Sequence, residues 1–218
     1  MSTYQDVAAK RSSKPSRRSL TISLLVAALI VAMALDTTVV RTGSDLDFTE
    51  EAFSPEQFGA TEFPAVQQWI EENAVGVQLL VQALEDDRDA AITQHGRQTG
   101  AHPIFPVSFT GRIEEGQSGI VEVAVDQAPD DLTIRLQLGP AINGTELRDV
   151  TGTIRFQQFT NQIEYQNAGR ALNNAMRADT LDPIDRDQLE GRLITVSGAF
   201  TLINPNNWLV TPARVTVQ

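Results

Sequence analysis

Cysteine is absent from all 218 residues. That removes a disulfide framework, a cysteine-ligated zinc site and a thiol nucleophile. It also removes the residue to which a lipid is joined after an export signal, so membrane attachment must rest on apolar side chains. Histidine is scarce: His95 and His102 are the only two. They lie among glycine and proline, with no spacing that would gather a metal, so surface roles are expected and no metal site. No glycine-rich phosphate loop occurs. Ser118, in Gly116-Gln117-Ser118-Gly119, lacks the flanking pattern of a nucleophile elbow. The acid pairs Glu114-Glu115 and Asp130-Asp131 sit at turns, where solvated charge is the ordinary state. Asn143-Gly144-Thr145 matches a glycosylation acceptor but also reads as a turn. No catalytic set emerges, so the sequence predicts a non-enzyme without a cofactor.

Positive charge is missing from most of the chain. The net charge is −11, and no lysine follows Lys14. Without residues 1–41, which hold six basic and two acidic groups, 11 basic residues face 26 acidic ones, a net charge of −15. A domain so acidic repels nucleic acid and anionic lipid surfaces, so nucleic acid is excluded as a partner and contact with lipid is expected only through the tether. The same charge also serves plain solubility.

The basic residues that do cluster are informative. Lys10, Arg11, Lys14, Arg17 and Arg18 precede an uncharged run from Ser19 to Leu35. A cationic flank followed by an apolar helix marks a segment delivered to the membrane with its N-terminus in the cytoplasm. Two readings stay open. As a signal peptide, Leu20–Val31 is the apolar core and Ala32-Met33-Ala34 the cleavage site. As an anchor, the segment is 20–40: Leu20 to Leu35 spans about 24 Å, and extension to Val40 about 32 Å, near the hydrocarbon thickness. The anchor is preferred because the run exceeds a signal-peptide core. The expected organisation is then a basic cytoplasmic stretch 1–19, a transmembrane anchor 20–40, a tether 41–52, and an extracytoplasmic part on a single-pass cell-membrane protein.

Beyond the tether, Ser54-Pro55 with Gln57 reads as a helix start, and Phe53 with Phe58 as a hydrophobic staple. A longer helix is predicted after Pro64, with Val66, Trp69, Ile70, Ala74, Val77, Leu80, Val81 and Leu84 on one stripe. From Ile104 the apolar period drops to two. Val107–Ile113, Val121–Val125 and Leu132–Leu138 read as three strands. A helical stripe from Ala168 to about Leu181 follows, with a short second helix before Gly191. Strands from Ile194 and Leu209 end the chain, and Pro212 predicts an unpaired side on the last one. The predicted class is α+β: a membrane helix, a helical subdomain over 53–100, and a five-stranded OB-like β-barrel over 101–218. A helical insert, about 160–190, separates strands three and four of the barrel.

Several words in the second half are specific together: Gly139-Pro140, Gly144-Thr145, Leu147-Arg148-Asp149, Phe159-Thr160-Asn161-Gln162-Ile163-Glu164, Gly198-Ala199-Phe200 and Thr211-Pro212. They resemble the bacterial family DUF2291, closely in this half and more loosely over 53–110. The resemblance implies an extracytoplasmic protein with a helical subdomain beside an OB-like barrel. It further implies lipoprotein relatives, often encoded near sugar-import ABC transporters. This chain departs from them in lacking the cysteine.

Two polar groups are candidate sites. Arg148, Asp149, Asn161, Gln162 and Glu164 could clamp sugar hydroxyls, or could cap a helix and pair locally. On the barrel reading, Glu122, Thr133, Arg135 and Gln137 form a second surface, flanked by Glu114-Glu115-Gly116 and Asn204–Asn207. It lacks an aromatic platform, and its acidic loop disfavours polyanions. The expected function is a membrane-tethered binding or accessory protein, associated with components of a sugar ABC importer. The alternative is a small-ligand or glycan-binding module built on Arg148, Asp149, Asn161 and Glu164. A hydrolase using paired carboxylates ranks last.

Overall fold

The computed structural model describes residues 17–36, 53–126 and 128–218, which fall into two units, Met1–Ala52 and Phe53–Gln218. In the first unit, helix α1 (Arg17–Asp36) carries the apolar run. Its described side chains from Thr21 to Leu35 are all exposed, Leu35 by 84%. Among the described residues no helix is long and apolar enough to cross a membrane. The expected span over 20–40 runs past the end of this helix at Asp36. The apolar stretch Ile22–Leu35 extends about 21 Å, short of a hydrocarbon core of about 30 Å. Thr37–Val40, needed to complete the span, lie outside the described residues, as do the tether and residues 1–16.

The second unit begins as the local signals require. Helix α2 (Pro55–Asn73) has Pro55 in its first turn, and the Ser54 hydroxyl accepts from the Gln57 amide at 3.4 Å. The Phe53 and Phe58 rings close the staple at 5.5 Å. Two expectations fail here. The helix runs through Pro64 instead of restarting after it, because Pro64 and Ala60 lie on the exposed face and the freed carbonyl is open to water. The single stripe from Val66 to Leu84 is also broken. Val75–Gly76 (β1) leave the helix to pair in parallel with Val107–Ser108, and helix α3 (Val77–Asp86) starts afresh. A tertiary strand pairing overrides the helical period. Asp87 then caps α4 (Arg88–His95) by accepting from the Asp89 and Ala90 amides at 3.0 Å. A short β2 (Arg97–Thr99) folds back on the next strand.

That strand, β3 (His102–Gln117), organises the sheet. Its first half pairs with β6 (Leu193–Thr201) from Ile104 to Arg112, and its second half pairs with β4 (Ile120–Ala124). A register shift between Ile113 and Gly116 bends it from one partner to the other. β4 pairs with β5 (Thr133–Gln137), β5 runs parallel to β7 (Asn207–Val217), and β7 returns to β6. The pairings β3-β4-β5-β7-β6-β3 therefore close five strands into a ring, with β1 and β2 appended to β3. At the β3–β4 turn, Gly119 has φ +80°, and a Cβ there would lie 2.2 Å from the Gly139 Cα. Only glycine permits that approach. The β5 pairing of β7 stops at Val210, so Pro212, opposite Gly198 at a register shift, breaks no ladder on that side.

Inward residues of the ring are buried, among them Val107, Ile134, Leu136, Val196 and Val210, and Trp208 stacks on Phe200 at 4.4 Å. Between β5 and β6 the chain forms α5 (Glu146–Asp149), a 3-10 turn at Phe156–Gln158, α6 (Gln162–Met176), a π turn at Arg177–Leu181 and a second 3-10 turn at Arg186–Gln188. Helix α2 lies tight against α6 where Gly59 meets the Ala171 carbonyl. Phe63, Val66 and Ile70 of α2 join the same hydrophobic core as the strands.

Candidate functional site

Helices α5 and α6 meet through a small polar cluster. Arg148 faces Asp149 in a bidentate pair, with Nε donating to Oδ1 at 2.7 Å and an Nη to Oδ2 at 2.9 Å. The other Nη donates to the Tyr165 carbonyl at 3.1 Å, and the guanidinium lies 3.7 Å over the Tyr165 ring. Asp149 also accepts from the Thr145 hydroxyl at 2.7 Å and the Tyr165 hydroxyl at 3.2 Å. Both charged side chains are shielded, at 9% and 12% exposure. A buried pair is tolerated when its remaining hydrogen-bonding capacity is filled, and four donors reach this carboxylate. Burial raises the Tyr165 phenol above its ordinary value, and the Asp149 charge adds to that while Arg148 opposes it.

Asn161 and Glu164 form a neighbouring but separate arrangement. Asn161 is the N-cap of α6, accepting from the Ile163 and Glu164 amides at 3.0 and 2.9 Å. Glu164 reaches back to accept from the Thr160 amide at 2.9 Å and from the Asn161 side chain at 3.2 Å. This resembles a capping box with asparagine as the cap, except that the glutamate takes the amide one residue before the cap. Gln162 is exposed in the first turn. The structure thus brings Arg148 to Asp149, and Asn161 to Glu164. Tyr165, which joins the first pair to α6, was missed by the sequence reading. Its only signal was its place one residue beyond the capping glutamate.

Arg135 belongs to another surface. It lies on β5, opposite Glu122 of β4, and its Nε donates to the Asn207 side chain at 2.9 Å. With Glu114, Glu115 and Glu122 it lines an open groove of about 820 Å³. The Asn204–Asn207 loop borders the same end of the ring, where Asn206 donates to Asp131 at 2.5 Å. Gln137 leaves this group: it is buried, donating to the Thr211 hydroxyl and accepting from the Asn143 amide, and so pins the loop after β5. A second cleft, about 660 Å³, opens between the β3–β4 turn and the segment carrying Ile184, Arg186 and Leu189. Among the described residues no three histidines or carboxylates converge as a metal site.

The chain belongs to the family described as "Predicted periplasmic lipoprotein (DUF2291)", which it matches over residues 24–216. No curated protein matches it. Among solved structures it is similar to an OB-fold protein from Thermotoga maritima, at 17% identity over 77% of this chain and 100% of the other, with a TM-score of 0.62. At that identity the likeness is one of fold.

Proposed function

Proceeding from that family, we propose that the chain is a membrane-tethered extracytoplasmic protein that works by binding a protein partner rather than by catalysis. The observation that carries this reading is α1, an apolar helix with every described side chain from Thr21 to Leu35 exposed. A helix apolar on all sides finds a stable environment inside a protein or in a bilayer. The absence of cysteine leaves α1, in place of a lipid, as the attachment. Residues 20–40 then form a single-pass anchor, with the OB-like barrel on the outer side.

The non-enzymatic half of the reading is supported by how the carboxylates are held. Asp149 is committed to Arg148, and Glu164 to the cap of α6, so neither is placed across a cleft from the other. The clamp reading of Arg148 has less support for the same reason. The partner class implied by the family resemblance is a component of a sugar ABC importer. Cross-linking and affinity purification of the tagged full-length protein from its own membranes tests the proposal. Importer subunits in the eluate, with residues 1–34 intact, are expected. An eluate holding only a chain cut after Ala34 would sink both the anchor and the partner.

A further inference from the structure

Asn143-Gly144, which reads from the sequence as a turn, is the sole asparagine–glycine step in the chain. The step is reactive by its chemistry. A main-chain nitrogen can attack the side-chain carbonyl of the asparagine before it, and a Cβ on the attacking residue hinders the approach; glycine has none. The structure leaves both reactants open. Asn143 and Gly144 are exposed on the loop between β5 and α5. Both hydrogen bonds of Asn143 lie on its main chain, whose N–H donates to Gln137 Oε1 at 3.1 Å and whose carbonyl accepts from Gln137 Nε2 at 3.0 Å. Gly144 is held by its carbonyl, which accepts from the Asn173 side chain at 3.0 Å. The Asn143 side-chain amide and the Gly144 N–H therefore have no partner among the described residues. The side chains of Asn73, Asn161, Asn173, Asn206 and Asn207 are all engaged.

Gln137 also primes the nucleophile. The carbonyl it donates to belongs to the same peptide group as the Gly144 N–H. When that N–H loses its proton, the negative charge settles on this oxygen, and a donor already in place favours the charged form.

We propose that Asn143 is a site of self-modification, closing to a succinimide that water opens to isoaspartate or aspartate. The deprotonated Gly144 nitrogen bonds to Asn143 Cγ, the Cγ–Nδ2 bond breaks, and the side-chain nitrogen takes up a proton and leaves as ammonia. Water then cleaves one of the two ring bonds to nitrogen, and no other co-reactant is needed. Cleavage at the main-chain carbon gives isoaspartate, whose backbone runs through Cβ and Cγ and is one atom longer.

The fold turns that extra atom into a release. Gln137, buried on β5, finds partners for both ends of its amide in the Asn143 main chain. It also donates to Thr211, whose hydroxyl reaches Glu146 at the start of α5. A lengthened backbone takes the two Gln137 bonds out of register, and the loop that ties the ring to the helical insert is loosened.

Full-length protein in detergent is aged in mildly alkaline buffer, beside a copy unfolded in guanidinium. Isoaspartate is then located by isoaspartyl methyltransferase labelling and peptide mass. Residue 143 should carry the label in the folded protein, at a rate within about threefold of the unfolded chain. Aged protein should melt about 3–6 °C below fresh protein. Asn143→Ser should abolish the label and melt alike whether fresh or aged, since only the main chain at 143 is used. Label on the unfolded copy alone would overturn the proposal, because the Gln137 clamp would then hold the reactants apart. Label at 143 with unchanged melting would overturn the release. Label persisting in Asn143→Ser would place the reaction at another residue and overturn the site.

Discussion

Two of this protein's arginine-and-carboxylate groups have opposite characters. At the α5–α6 junction, Arg148 and Asp149 are shielded, stacked on Tyr165 and bonded at every strong position. On β4 and β5, Glu122 and Arg135 are cross-strand neighbours that line an open groove with Glu114 and Glu115. The residue types are the same, but solvent decides what they do. In the junction, removing one partner strands a charge that water cannot reach. In the groove, water replaces whatever is lost, and the groups remain available to something else.

Breaking the junction should have the largest effect. Arg148→Ala leaves Asp149 without its buried partner, at a cost of about 3–5 kcal/mol. For a unit of this size that is a fall of about 10 °C in melting temperature by calorimetry. An unchanged melting temperature would mean that Arg148 is free to serve a ligand, and the contrast would collapse. Next comes the cap. Asn161→Ala should cost about 1 kcal/mol, read as a lower denaturant midpoint, while Asn161→Asp should keep most of it.

Tyr165→Phe sharpens the junction further, removing one hydrogen bond to Asp149 at about 1 kcal/mol. It also carries a pH signature. The raised Tyr165 value means that the unfolded chain gives up its phenolic proton before the folded one. That stability is complete below the ordinary tyrosine value near pH 10 and is lost as pH rises through the folded value. Wild type should therefore lose stability above about pH 10 more steeply than Tyr165→Phe, in denaturant titrations across that range. Smallest of all, Arg135→Ala should shift stability by no more than about 0.5 kcal/mol, since only Asn207 loses a bond and water replaces it. A large loss there would show that the groove, too, is structural.

Local signals were legible where chemistry is local. The Ser54 cap, the Phe53–Phe58 staple, the period-two runs of the strands and the Asn161 cap all lie within a few residues of their partners. The breaks were less legible. Ala74 and Val77 carry the apolar stripe past Val75, and nothing nearby reveals that Val107, thirty-two residues on, will take the Val75 backbone. The β2–β3 pairing and α4 were likewise unseen, although Asp87 was a cap in plain view. Of the first candidate group, the residues were found but not their grouping. Arg148 with Asp149 and Asn161 with Glu164 separate into two tasks only once α5 and α6 are docked.

The sequence by itself determined that neither cysteine chemistry nor a lysine-rich face would carry function here, that the N-terminal run is apolar on every side, and where most strands and caps begin. These follow from composition and from interactions over four residues or fewer. Tertiary structure alone decided that five strands close as a ring, which needs β3 to pair with β6 some ninety residues away. It also decided which of two similar polar groups is closed and which is open. That outcome depends on what is packed around a charge, and packing is set by contacts distant in the chain.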